Sequence, residues 1–214
     1  MKQEWDNKVI TSINGTFLLN RDYMDYHQDR FIDDSLMFYS GSRLIALLPG
    51  HIEHSTFCSH NGLTYGGLVY DKGLKYSDIE EIYNITISYL SAKKVNKIVV
   101  KPIPYIYSQY ASDEQLYYFF SHNFNLTVRN LSSVIPLNSE FSYSLTRRRG
   151  IKKGSLKELV IVEDQRWEEF WNLLEENLRI RHAKRPVHAY SEIIKLKQKF
   201  PDQIKLFTIS LDSV

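Results

Sequence analysis

His60, Asn61, Thr64 and Tyr65 place four hydrogen-bonding side chains around an adjacent pair of glycines, Gly66 and Gly67. Glycines inside a β-forming run mark a bulge, or a point where a second backbone or a ligand comes close. Residues 59–70 (SHNGLTYGGLVY) therefore predict a strand, a sharp passage at the glycines and a second buried strand over 63–70, central to its sheet. A structural bulge and a binding site both fit this pattern. A second polar run holds Arg21, Asp22, Asp25, Tyr26, His27, Asp29 and Arg30. It reads either as a solvated helix face or as the wall of an acceptor site. On the second reading the planar fork of Arg21 or Arg30 grips an anionic group, and His27 or Asp29 takes a proton from an amine nucleophile. Arg21, His27, Arg30, His60 and Tyr65 are then expected in one cleft.

Two other constellations compete with these. His51, His54, Cys58 and His60 are four candidate zinc ligands within ten residues. Structural zinc sites favour tighter C-x-x-C or H-x-x-x-H spacings, so metal binding ranks third and no metal ligand is assigned. A Cys58–His60 nucleophile pair ranks lower still, because nothing marks a third orienting group. Arg147, Arg148, Arg149, Lys152 and Lys153 put five cations in seven residues, which reads as a solvated linker helix or as a phosphate-binding element with Arg148 in its middle.

The elements that must position these groups are legible from periodicity. Residues 37–39 and 43–49 read as strands around the turn 40–42, and 56–58 and 63–70 continue the sheet. Ser77, Asp78, Ile79 and Glu80 form a capping-box pattern, and Ile79, Ile82, Tyr83, Thr86, Tyr89 and Leu90 follow helical spacing. Residues 97–102 predict a strand, 112–120 a capped helix and 126–137 a returning strand. Beyond Asn138 the pattern resets: a strand at 159–162, then a helix capped by Asp164 with Trp167, Phe170, Trp171, Leu174 and Leu178 on one face. A helix at 190–200 stopped by Pro201, a strand at 204–209 and a turn at Asp212 and Ser213 follow.

Composition sets outer bounds. The 214 residues are 43% hydrophobic and 14% aromatic, enough for one large or two small packed domains and unlike a disordered chain. One cysteine rules out an internal disulfide and suits a reducing compartment. The N-terminal residues show no signal-peptide pattern and no apolar run reaches membrane-spanning length, so a cytoplasmic protein without a membrane span is expected. The formal net charge of +2 hides an asymmetry: residues 1–146 carry 12 basic against 15 acidic side chains, and 147–214 carry 15 against 10. That balance argues against a DNA-binding protein and asks for a local explanation of the basic surplus.

Several stretches in one order carry a family resemblance. NGTFLLNRDYMDYHQDRF at 14–31, then DDSLMFY, RLIALLPG and SHNGLTYGG, resemble a bacterial family of GNAT-type acyltransferases related to the FemAB aminoacyl transferases. LTRRRGIKKG at 145–154 and RPVHAYSEIIKLKQKFPDQIKLF at 185–207 resemble that family's domain junction and second-domain start. The resemblance implies a mixed α/β (α+β) GNAT-like acyl-CoA N-acyltransferase fold, with a central mixed sheet flanked by helices. The implied organisation is a first domain over 1–140, a basic junction over 141–154 and an incomplete second domain over 155–214. The implied reaction moves an acyl group from acyl-CoA, or from aminoacyl-tRNA as second choice, to an amine of a cell-envelope sugar or peptide precursor. His27, Asp29 and Tyr65 are then the catalytic candidates. Arg21, Arg30, His60, Asn61, Gly66, Gly67 and Arg148 are the substrate-binding ones.

The resemblance also implies no tightly bound cofactor, acyl-CoA being a co-substrate. A CoA groove needs helix N-terminal amides for its pyrophosphate, and residues 71–77 (DKGLKYS) offer one glycine and an aspartate that repels phosphate. The chain as given is therefore expected not to catalyse CoA-dependent transfer; a noncatalytic binding module of the same fold is the alternative. The strand at 204–209 is expected to have its edge covered by the first domain or by a second subunit of a homodimer, or else to be poorly ordered.

Overall fold

The computed structural model describes residues 1–138, 142–155 and 159–211. Chain contacts group the residues into two compact units, Met1–Thr127 and Val128–Val214. The fold is mixed α+β, and the strands form three small sheets.

In the first unit, helix α1 (Lys2–Thr11) buries Trp5 and Val9 and was not legible in the apolar spacing. The Trp5 indole donates to the Leu19 carbonyl at 2.8 Å, fixing the chain that leads into the short helix α2 (Arg21–Met24). Strands β1 (Leu36–Ser40) and β2 (Arg43–Leu48) form an antiparallel hairpin whose turn holds Gly41 at φ +60°. β2 sends Leu44 and Leu47 into one core cluster and Ala46 and Leu48 into another. Cover on both faces explains the nearly unbroken apolar run RLIALL. A second hairpin joins β3 (His51–Glu53) to β4 (Thr56–Cys58).

β5 is only Val69–Tyr70 and pairs with β2 at the edge of the first sheet, correcting the expected central strand over 63–70. The backbone of 63–68 finds other partners. Gly66 N–H donates to the Lys101 carbonyl, Leu68 N–H to the Gln115 side-chain oxygen, and Asn14 Nδ2 donates to the Leu68 carbonyl. Helix α3 (Tyr76–Ala92) begins at Tyr76, one residue before the expected box, with the Asp78 carboxylate accepting the Lys75 N–H at 2.7 Å. Its expected apolar face buries Ile79, Ile82, Tyr83, Thr86 and Leu90. β6 (Lys97–Val99) lies parallel to β4 and stops short of residue 102, and helix α4 (Glu114–Ser121) starts after Asp113.

The second unit opens on residues 128–138, which form no helix or strand; the returning strand expected over 126–137 is absent. Its apolar side chains alternate irregularly with polar ones, and no backbone ladder pairs with it. Helix α5 (Leu145–Ser155) buries no residue. β7 (Leu159–Asp164) pairs antiparallel with β8 (Leu206–Leu211), and helices α6 (Trp167–His182) and α7 (Tyr190–Lys199) pack between them in sequence. Trp167, Trp171, Leu196, Phe200 and Leu206 make the small core. Asp164 orders the start of α6: its carboxylate accepts the Arg166 N–H at 2.9 Å and the Arg166 guanidinium at 2.7 Å. Those hydrogen bonds, with one from Thr208, hold its carboxyl well below the usual carboxylate range. The turn expected at Asp212 and Ser213 lies outside the described residues.

Candidate functional site

The loop after β4 is organised by Lys101. Ser59 N–H donates to the Val99 carbonyl at 2.9 Å and its hydroxyl accepts the Lys101 N–H at 2.8 Å. His60 then turns the chain in the left-handed region, at φ +54°. The Lys101 ammonium donates to the carbonyls of His60 (3.2 Å) and Leu63 (2.8 Å), while its own carbonyl takes the Gly66 N–H at 2.7 Å. One lysine thus clamps both ends of the loop that carries His60, Asn61, Thr64 and Tyr65. Burial lowers its pKa, and among the described residues no carboxylate pairs with it. Sequence reasoning missed Lys101. Its signal is a lone cation between an apolar strand and a proline.

Behind the loop lies a buried imidazole. His51 faces Cys58 across the hairpin register and is 1% exposed. Its ring packs against Phe31 at 4.6 Å and edge-on to His60 at 5.8 Å. Neither His51 ring nitrogen has a hydrogen-bond partner among the described residues. Burial lowers its pKa, opposed by the negative charge of Glu53. Burial also pushes the Cys58 thiol up, with a hydrogen bond to Asn61 acting the other way. A protonated thiol is a poor nucleophile or metal ligand. Among the described residues no group of three His, Cys, Asp or Glu side chains converges to hold a metal ion.

Tyr65 is buried, donates its phenol to the Thr16 hydroxyl at 2.9 Å and lies 5.2 Å from the Tyr107 ring. Burial raises its pKa, so at neutral pH it is a hydrogen-bond donor and not a base. Gly66 and Gly67 lie where protein meets protein. A Cβ on Gly66 would stand 2.5 Å from the Ser59 carbonyl oxygen, and one on Gly67 (φ +87°) 2.9 Å from the Gln115 side-chain oxygen.

The polar run at 21–30 joins this region through its neighbours. Phe31 packs on His51 and His60, and Asp33 forms a β-bridge with His51 while its carboxylate meets Arg21 at 3.1 Å. Arg21 is fully engaged: Asp25 at 2.6 Å, Asp33, and the face of Trp5 at 5.3 Å. Asp29 and Arg30 lie 3.7 Å apart with half-open surroundings. The His27 side chain lies outside the described part, and Arg148 is on α5 in the second unit. Residues 71–77 do not form an open phosphate cradle. Asp71 is bonded to Lys8 at 2.6 Å, and Asp78 already covers an amide at the start of α3.

Fold and site together define a mixed α+β protein with a lysine-clamped loop beside a buried histidine. No family model and no curated sequence matches the chain. Among solved structures, the crystal structure of FemX matches with a TM-score of 0.64 at 14% identity, covering 99% of this chain and 57% of the FemX chain. The fold is therefore FemX-like, and the chain spans 57% of that neighbour's length.

Proposed function

We propose that this chain is a transferase of the Fem type with a GNAT-like core, handling an amine of a cell-envelope sugar or peptide precursor. The observation that carries this reading is the likeness to FemX along 99% of the chain. The lysine-clamped loop is the acceptor surface. Asn61 and Thr64 stand exposed on it, the His60 ring packs edge-on to Phe31, and the buried Tyr65 phenol, already donating to Thr16, holds the loop's shape. Acceptor and donor sites are separable here. Because residues 71–77 offer no free cluster of helix N-terminal amides, this polypeptide does not bind acyl-CoA in the usual GNAT manner.

Titration calorimetry tests both halves. A nucleotide-linked sugar carrying a peptide amine is expected to bind, and acetyl-CoA is expected to give no heat at micromolar concentrations. Failure of the acceptor to bind would remove the proposal; micromolar binding of acetyl-CoA would remove the claim about residues 71–77. Binding of the acceptor with no turnover, whichever acyl donor is supplied, would instead support the noncatalytic module that the poor phosphate loop also favours.

A further inference from the structure

Two features of the second unit have no role in the site. Leu131 and Leu137 are 98% and 94% exposed, and Val134 and Ile135 between them are at least half exposed. A few residues on, α5 carries Arg147, Arg148, Arg149, Lys152 and Lys153 with no acidic partner among the described residues. At 100° per residue, Arg148, Arg149, Lys152 and Lys153 form one stripe, and the pairs 148/152 and 149/153 repel at i,i+4. Gly150 and Gly154 weaken the helix further, and it buries nothing. A helix of this kind is stabilised by an anionic surface that neutralises the stripe.

We propose that the apolar run at 131–137 and the cationic stripe of α5 form an attachment surface for an anionic lipid bilayer. Lipid headgroups supply the negative charge that the stripe lacks, and the interface takes up Leu131, Val134, Ile135 and Leu137, which a phosphodiester chain would leave in water. An exposed apolar run followed closely in sequence by a helix of unpaired cations is the pattern of proteins that lie on a membrane. Such attachment needs no spanning helix, and no described helix is long and apolar enough to cross a membrane. These residues belong to the second unit and the loop at 59–67 to the first, and the test of the surface is independent of the transferase reading.

Flotation of the whole chain with vesicles decides the matter. Vesicles of phosphatidylcholine with phosphatidylglycerol are expected to carry the protein, and pure phosphatidylcholine vesicles are not. Each cation near an anionic surface contributes about fivefold in partition, so Arg148→Gln with Arg149→Gln is expected to lower binding about 30-fold. Leu131→Ser with Leu137→Ser is expected to lower it as well, and added salt weakens what remains. All four positions are exposed, so the melting temperature stays put and serves as the control for folding. Absence of vesicle binding, equal binding to neutral vesicles, or unchanged binding by the arginine variant would each overturn the proposal. So would salt-sensitive binding of a labelled oligouridylate without vesicle binding, which would assign the stripe to a phosphodiester partner. Dimerisation abolished by the leucine substitutions, without vesicle binding, would assign the apolar run to a second copy.

Discussion

Replacing His51 by leucine tests the electrostatics of the buried region most sharply. The imidazole is 1% exposed and neither nitrogen has a partner among the described residues. A buried unpaired polar group costs about 1–3 kcal/mol. Leucine removes that cost while keeping most of the packing against Phe31, so at pH 7.5 His51→Leu is expected to be as stable as the parent or about 1 kcal/mol more stable. The pH dependence is the stricter part. Burial lowers the folded-state pKa of His51 below the ordinary value of 6.5, so between those two values the unfolded chain binds a proton that the folded chain does not. Stability from this group is complete above pH 6.5 and is lost as pH falls through the folded-state pKa. The loss has a ceiling of about 1.4 kcal/mol per pH unit. Glu53 and Asp33 oppose the shift and Lys101 reinforces it, so all three remain in both proteins. Urea titrations at pH 7.5, 6.5 and 5.5 are expected to show a parent that weakens on acidification more steeply than the variant. Parallel slopes, or a variant more than about 2 kcal/mol weaker at pH 7.5, would refute the picture of a buried, neutral, unpartnered imidazole.

Other consequences follow from the loop. Gly66→Ala pushes a methyl to 2.5 Å from the Ser59 carbonyl and is expected to lower stability by about 1–3 kcal/mol in urea titration. Lys101→Met leaves the carbonyls of His60 and Leu63 without their donor; it is expected to cost about 1–3 kcal/mol and to speed amide exchange over residues 60–66 before the rest of the unit. Asn14→Ala removes the side chain that holds Leu68 and Tyr70 backbone groups, with an expected loss of about 2 kcal/mol by the same assay. Tyr65→Phe loses one hydrogen bond to Thr16 and is expected to cost about 1 kcal/mol in stability.

Where a segment's partners are its sequence neighbours, its structure was readable. The hairpin around Gly41, the apolar face of α3 and the Trp167–Trp171 face of α6 all follow from local spacing. The run at 63–70 misled because its β-forming residues bond to Lys101, Gln115 and Asn14, which lie between 35 and 56 positions away in sequence. Alternation cannot reveal a side chain that replaces a neighbouring strand. Residues 126–137 failed for the opposite reason: strand propensity without a partner gives no ladder. In the candidate site, polar residue types marked the loop at 59–67 that Lys101 clamps, and Phe31, His51 and Asp33 show how the two polar runs meet. Lys101 was invisible because its role depends on where two carbonyls sit in space. Helix α1 was hidden because only Trp5 and Val9 face the core.

Hydrogen–deuterium exchange of the chain, with and without a saturating nucleotide-linked sugar that carries a peptide amine, tests the central claim most directly. The account predicts slowed exchange concentrated at residues 59–67 and at Lys101. Unchanged exchange in that loop, with ligand protection appearing only in other segments, would contradict it.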